Sequence, residues 1–323
     1  MIVVTGAAGF IGSAIVHELN TRGREDILIV DETNHLEKKK NLSGLKYLQI
    51  QAKAEFLNNI LNREMPDVEA IIHMGACSST TETDLAYLKT NNFEYTQHLA
   101  NFSLEKNIRF IYASSAATYG DGERGYNDDE EALETFTPLN PYGESKQMFD
   151  LWAREEKILD RLVGVKYFNV YGPNEYHKKD MQSMVRKGFL QINETKKLKL
   201  FKSYCSKYSD GGQVRDFIYI KDAVDMTLFF LEQPKIGGIF NVGTGDARCW
   251  NDLAKAIFNA LGIETNIDYV EMPESIRDQY QYYTCASMQK IKKAGYKKTT
   301  FSLEEGIDDY VRNYLILEKR IGS

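Results

Sequence analysis

A doubly wound α/β fold, its parallel sheet covered on both faces, is predicted by three features of this sequence. The β-branched run Ile2–Thr5 leads straight into Gly6-Ala7-Ala8-Gly9-Phe10-Ile11-Gly12. Apolar runs then alternate with helical stretches through roughly the first 170 residues. After Gly172-Pro173 the texture changes to a polar, lysine-rich stretch, which predicts a second and smaller unit. Strands alternating with helices imply βαβ units, because a parallel strand pair needs a crossover to carry the chain back.

In chain order, Ile2–Thr5 is the first strand and the glycine turn opens a helix ending near Gly23. Ile27–Val30 is the second strand, ended by Asp31, and Val68–Met74, Ile108–Ala113 and Gly164–Val170 are further strands. The lysine-rich region runs to about Gln213 and includes Ser203–Gly212, read as an exposed loop. Asp216–Ile220 and Ile239–Val242 are strands flanking a helix from Lys221 to Glu232, residues 247–290 are mixed, and Ser302–Leu317 is a closing helix. No repeat or low-complexity linker separates the units, so the second domain is discontinuous. Residues 1–171 with about 216–246 and 291–319 form a Rossmann-type dinucleotide-binding domain, and about 172–215 with 247–290 form a smaller mixed α/β substrate domain.

With 43% hydrophobic and 27% charged residues in 323, the chain can bury a real core. A net charge of −6 argues against nucleic acid or an anionic membrane surface as partner. No segment reaches the ~20 apolar residues of a membrane span, and no basic segment precedes the uncharged N-terminus as it would in a signal peptide. Cys77, Cys205, Cys249 and Cys285 are far apart without a CxxC pair, which predicts free thiols in a reducing cytoplasm and no metal framework.

The glycines at 6, 9 and 12 have separate tasks: a tight turn, close approach of backbone to a pyrophosphate, and close helix–strand packing. The helix start at Phe10 and Ile11 offers free N–H groups to phosphate. Asp31 ends the next strand nineteen residues after Gly12, the context a dinucleotide motif requires. Asp31 and Glu32 would bind a bare ribose and favour NAD, whereas Lys38, Lys39, Lys40 and Lys53 could neutralise a 2′-phosphate and favour NADP.

Tyr142 and Lys146 stand four apart in a predicted helix entered through Asn140-Pro141, so both face one side. Ser115 follows the run Ile108–Ala113, at the strand end where α/β sheets place ligands. A free phenol titrates near ~10, too high for a base at neutral pH. A cation ~6.5 Å away at an effective dielectric of ~20 is worth about 2.5 kcal/mol, roughly two pKa units. Lys146 and an oxidised nicotinamide together would bring Tyr142 towards ~6–7, the range suited to general base catalysis.

These residues together resemble the extended short-chain dehydrogenase/reductase family, which acts mostly on nucleotide sugars. The stretches His73–Glu82, Tyr112–Gly120, Tyr167–Pro173 through His177-Lys178, Val214–Phe217 and Phe240–Gly245 narrow the resemblance to its ADP-heptose 6-epimerase branch. The resemblance implies epimerisation of ADP-D-glycero-D-manno-heptose to the L-glycero form, for lipopolysaccharide core heptose. Bound NADP(H) would oxidise C6″ and reduce it from the opposite face, NAD being the alternative cofactor. One base then serves each face: Tyr142, with Lys146 and Ser115 in support, and Lys178. By composition alone, Lys178 beside Lys179 reads as an exposed loop lysine.

Cofactor contacts implied by the match are Phe10, Ile11, Asp31, Glu32, Lys38, Lys53, Gly75, Ala76, Cys77, Ser78, Ser79, Asn92, Lys146, Val170 and Lys178. Substrate contacts implied are Asn169, Asp180, Lys187, Phe201, Lys202, Ser203, Tyr204, Arg215 and Tyr280. Arg215 suits a diphosphate, which a guanidinium binds bidentately. The chain departs from the family's usual pattern at Glu32, Asp180, Lys187 and Lys202–Tyr204, where Asn, Ser, His and a Glu-Gly-Ser run are common. The family also implies a homo-oligomer, with a homopentamer among its forms.

Two other activities and one non-enzyme remain open at the level of sequence. A UDP-hexose 4-epimerase would use the same Tyr and Ser but has no use for Lys178. A dehydratase needs an acidic pair where Ala116 and Ala117 stand. A dinucleotide-sensing regulatory protein could dispense with the Tyr, Lys and Ser that this chain carries.

Overall fold

The computed structural model describes residues 1–323 except Thr33, Asp278 and Gln279. Among the described residues, twelve strands and twelve α-helices follow the chain. They are β1 (Ile2–Thr5), α1 (Phe10–Thr21), β2 (Ile27–Val30), α2 (Leu36–Asn41), β3 (Gln49–Gln51), α3 (Lys53–Leu61), β4 (Ala70–His73), α4 (Leu85–Leu88), α5 (Tyr95–Lys106) and β5 (Arg109–Ser115). Next come α6 (Pro141–Glu155), β6 (Leu162–Tyr167), β7 (Asn169–Tyr171), α7 (Met184–Thr195), β8 (Leu198–Phe201), β9 (Val214–Tyr219), α8 (Ile220–Glu232), β10 (Gly238–Val242), β11 (Ala247–Cys249) and α9 (Trp250–Leu261). The chain closes with β12 (Ile267–Val270), α10 (Glu274–Arg277), α11 (Gln289–Lys293) and α12 (Leu303–Tyr310).

Seven strands form one sheet in the order β10-β6-β5-β4-β1-β2-β3, and every pair in it is parallel. The side-chain alternation of a strand explains why both faces are covered. Ile2 and Val4 of β1 enter a core with α1, α7, α8, α9 and α12, while Val3 enters the opposite core with α3, α5 and α6. The strand order reverses at β1, whose neighbours are β2 on one side and β4 on the other. The loops after β1 and β4 therefore diverge from a crevice at their carboxyl ends, which is where open α/β sheets bind ligands.

Two smaller sheets, β11-β9-β7 and β12-β8, complete the structure. They correct three expectations. The run Gly164–Val170 is not one strand: β6 stops at Tyr167, and β7 leaves the large sheet to pair with β9. The strand expected at 216–220 is β9, which belongs to the small sheet rather than to the large one. The lysine-rich region also contains a full helix, α7, which Ser183 caps and which buries Val185, Gly188, Phe189 and Ile192 on one face. Among the described residues no helix is long and apolar enough to cross a membrane.

Candidate active site

The glycine turn is built so that side chains have no room. Gly6 has φ +65°, and a Cβ there would lie 2.7 Å from the Gly75 backbone nitrogen, so the loops after β1 and β4 touch. A Cβ on Gly12 would lie 2.1 Å from the Gly6 carbonyl oxygen, and one on Gly9 would lie 3.0 Å from it. No side chain caps the start of α1 at Gly9, which leaves its first-turn N–H groups to face an anion. This cradle and uncapped helix start fit a dinucleotide pyrophosphate.

Asp31 ends β2 as expected, and its carboxylate already has three donors. Ala8 N–H donates to Oδ2 (2.9 Å), and Glu32 N–H (2.7 Å) and Lys38 Nζ (2.8 Å) donate to Oδ1. Lys53 Nζ donates to Asn91 (2.5 Å) and lies 4.3 Å from the Tyr95 ring, and burial lowers its pKa while nearby Glu32 raises it. Lys40 turns instead to Glu37 at the surface. The run Lys38–Lys40 is thus divided, with Lys38 turned inward to Asp31.

The loop after β4 is anchored from below. His73 bonds Thr5 and Thr96 (2.6 and 3.0 Å), and Gly75 N–H donates to Thr5 Oγ1 (3.1 Å). His73 stays neutral because burial, first, and the nearby Lys146 and Lys53 hold its pKa well below 6.5. Asn92 accepts from Cys77 N–H (2.8 Å) and donates to the Cys77 carbonyl and to Ser145 Oγ (both 2.9 Å). Its carboxamide is thereby occupied on both ends and buried. Asn92 ties the Gly75–Ser79 loop to α6.

Tyr142 and Lys146 lie in the first turns of α6, which Pro141 begins and Asn140 caps by accepting from Gly143 N–H (2.8 Å). Lys146 Nζ donates to the Ala113 carbonyl of β5 (2.8 Å), and Ser115 stands at the end of that strand. Ser115 pulls the pKa of the Tyr142 phenol down, but burial is the larger effect and raises it. The expected lowering of Tyr142 by Lys146 therefore does not appear in the protein alone. Burial takes Lys146 itself down to about 8, against the opposing pull of Asp150.

Lys178 is not the solvated loop lysine that composition suggests. It is half-buried, its ammonium lies 5.1 Å from the Phe10 ring at the glycine turn, and burial lowers its pKa while Glu175 raises it. Its segment is 3₁₀-helical over Tyr176–Met181 but kinked at Lys179 (φ 48°), and Asn174 ahead of it has φ 78°. Distant residues hold it. Buried Asn41 donates to the carbonyls of Ala8 (3.1 Å) and Asn174 (2.9 Å), and Asn174 donates to Ser13 (3.0 Å) and accepts from Ile321 N–H (3.0 Å). Glu175, fully buried, accepts from the Ser183 hydroxyl (2.6 Å), the Ser183 N–H and the Tyr310 hydroxyl (3.0 Å). Sequence reasoning missed Asn41 and the roles of Asn174 and Glu175, since nothing near them in the chain signals these ties.

The residues expected to meet substrate fall into groups. Arg215 is buried, 5.2 Å from the Tyr280 ring and 5.7 Å from the Trp250 ring, and Phe201 packs edge-on to Tyr280. Among the described residues no carboxylate pairs with Arg215. Lys187 Nζ donates to the Asp180 carbonyl (2.5 Å), and both residues are exposed, as is Asn169. Lys202 and Tyr204 both bond Glu271, Arg277 stacks on Tyr204 (4.0 Å), and Ser203 N–H donates to Asp210 (2.8 Å). Val170 lies half-buried in β7.

A glycine cradle at the sheet's switch point, flanked by a Tyr-x-x-x-Lys helix and a strand-end serine, marks a dinucleotide-binding α/β enzyme. Residues 2–243 match the model of the NAD dependent epimerase/dehydratase family, and the chain belongs to that family. It is 49% identical over 316 residues to an ADP-L-glycero-D-manno-heptose-6-epimerase of Nitratidesulfovibrio vulgaris (strain DP4), covering 98% of each chain. It is likewise 49% identical over 328 residues to one of Fusobacterium nucleatum, covering 98% of this chain and 99% of the relative. The crystal structure of the Helicobacter pylori ADP-L-glycero-D-manno-heptose-6-epimerase superposes with TM-score 0.81 at 27% identity, over 97% of this chain and 95% of that one. The Bacillus cereus UDP-glucuronic acid 4-epimerase, in complex with UDP-glucuronic acid and NAD, gives 0.76 at 26% identity, over 97% and 99%. The chain is an epimerase, and its dinucleotide is a nicotinamide one.

Proposed function

We propose that the chain interconverts ADP-D-glycero-D-manno-heptose and ADP-L-glycero-D-manno-heptose at C6″. One observation carries this reading. Lys178 lies over Phe10 at the glycine turn, and Tyr142 is close enough to Ser115 and to Cys77, in the loop after β4 that touches that turn, to feel both. A bound nicotinamide would supply the hydride acceptor and donor that let C6″ pass through a ketone. Inversion requires the hydride to return to the opposite face of the C6″ carbonyl; in this reading the ketone turns about the C5″–C6″ bond to present that face, which carries its oxygen from one proton-transfer group to a second. Tyr142 serves one face with Ser115 hydrogen-bonding the same oxygen, and Lys178 serves the other. Burial keeps the Tyr142 phenol protonated in the protein alone, the form that donates to a ketone oxygen.

Arg215, in its aromatic setting, suits the diphosphate, with Tyr280 and Phe201 alongside. Asn169, Asp180, Lys187, Lys202, Ser203 and Tyr204 line the sugar's approach in this reading. Residues 1–171 with about 216–246 and 291–319 hold the cofactor, and about 172–215 with 247–290 hold the substrate. NADP is the proposed cofactor, because Lys38 and Lys53 both converge on Asp31 and Glu32, where a 2′-phosphate would arrive. A cytoplasmic homo-oligomer serving lipopolysaccharide heptose synthesis is the proposed setting.

Incubating the enzyme with ADP-D-glycero-D-manno-heptose in D2O and following C6″ by NMR tests the reading. The L-glycero epimer should accumulate without deuterium at C6″, since the hydrogen that leaves as hydride returns. Deuterium at C6″, or turnover of UDP-hexoses alone, would refute it.

A further inference from the structure

Directly behind Ser115 and Lys146 lies a charge pair that the chemistry above does not use. Lys166 of β6 and Asp150 of α6 are both fully excluded from solvent, with Nζ 2.7 Å from Oδ2. Taking two charges out of water costs about as much as their attraction returns, so stability alone gives no reason for such a pair. Its other bonds point to the active site. Asp150 accepts from the Ser114 hydroxyl (2.7 Å) and the Tyr112 hydroxyl (2.9 Å). Lys166 donates to Thr118 Oγ1 (2.6 Å), and that hydroxyl donates to the Ser115 carbonyl (2.8 Å). Ser115 is thus bracketed by two residues fastened to the pair. On the helix side, Asp150 lies one turn beyond Lys146 on the same face.

We propose that Asp150, held by Lys166, is a positioning residue for the reaction: it fixes the strand end carrying Ser115 and supplies the counter-charge to the Lys146 ammonium. The inference rests on the roles given above to Ser115 and Lys146. The groups facing Lys146 are Tyr142 and Asp150 on its own helix, Cys77 from the loop after β4, and neutral His73 from β4, with Lys53 beyond His73. Among these described residues Asp150 is the only carboxylate. Burial lowers Lys146 to about 8, and Asp150 is the larger of the two influences that resist the fall. Without that carboxylate Lys146 gives up its proton at lower pH.

The test compares the wild type with Asp150→Asn/Lys166→Met, which removes both charges without stranding either, and with Thr118→Val. Each lysine is labelled with 13C at Cε, and Lys146 is titrated by NMR in the protein without substrate. The double variant should titrate Lys146 about one pH unit or more below the wild type. The alkaline limb of its kcat profile should shift by the same amount, with KM changing less. Thr118→Val should leave the Lys146 titration in place and lower kcat about tenfold, the scale of one lost hydrogen bond. A folded double variant whose Lys146 titrates as in the wild type overturns the counter-charge role. A folded Thr118→Val variant with unchanged kcat overturns the positioning role, and decides that half even if the double variant fails to fold. If Lys146 shifts but no Lys146 or Tyr142 substitution affects turnover, the reading of the site fails, and of this inference only the electrostatic tie between Asp150 and Lys146 survives.

Discussion

Tyr142 and Lys178 have the same task in the proposed reaction, and the protein supports them in opposite ways. Tyr142 sits in a helix whose start is written locally, with Asn140 as cap and Pro141 in the first turn. Lys178 sits in a kinked segment held by Asn41, Ser183, Tyr310 and Ile321, each remote in sequence or on another element. A capped helix N-terminus gains stability from its own residues. A kinked segment keeps its shape only while distant partners are folded around it, so it opens at lower cost. One face of the reaction is therefore carried by a rigid element and the other by a tied one.

Four substitutions or conditions sharpen this contrast. Tyr142→Phe should lower kcat by about 10²–10⁴, the usual worth of a positioned proton-transfer group, with the melting temperature unchanged. Glu175→Ala should act on stability first. It removes three hydrogen bonds to a buried carboxyl group, leaves the Tyr310 hydroxyl unpaired, and should cost about 2–4 kcal/mol in denaturant unfolding, with kcat falling as Lys178 loses its support.

Acid should loosen the Lys178 side before the Tyr142 side. Burial, with Lys38 and Lys178 adding to it, holds His177 down to about 4 against an ordinary 6.5. The unfolded segment therefore binds a proton that the folded one refuses, and stability is full above about 6.5 and lost as pH falls towards 4. Hydrogen exchange across 174–182 should speed up over that window while exchange across α6 does not. The smallest effect belongs to the cap: Asn140→Ala should cost about 1 kcal/mol and leave Lys178-side exchange untouched.

The same contrast explains what the sequence disclosed. The glycine turn, β1 and β2 were readable because each follows from neighbours in the chain, and their limits match the expected ones. Tyr142, Lys146 and Ser115 were readable because helix spacing and strand ends are local rules. Strand β3 escaped notice because Gln49-Ile50-Gln51, at the sheet edge, lacks the apolar run of a central strand. Helix α7 was hidden because its buried Val185, Gly188, Phe189 and Ile192 are interleaved with polar and charged residues. The split after Tyr167 could not be seen, because a continuous apolar run gives no sign that the chain changes sheets. In the protein alone burial prevails at the Tyr142 phenol and raises its pKa, an effect that charge and spacing in the sequence do not disclose.

The most direct test of two proton-transfer groups on opposite faces is NMR of the heptose epimers with Lys178→Met beside the wild type. The account predicts that the folded variant binds the nicotinamide cofactor yet forms the L-glycero epimer at under about one hundredth of the wild-type rate. Epimerisation by Lys178→Met at the wild-type rate would contradict it.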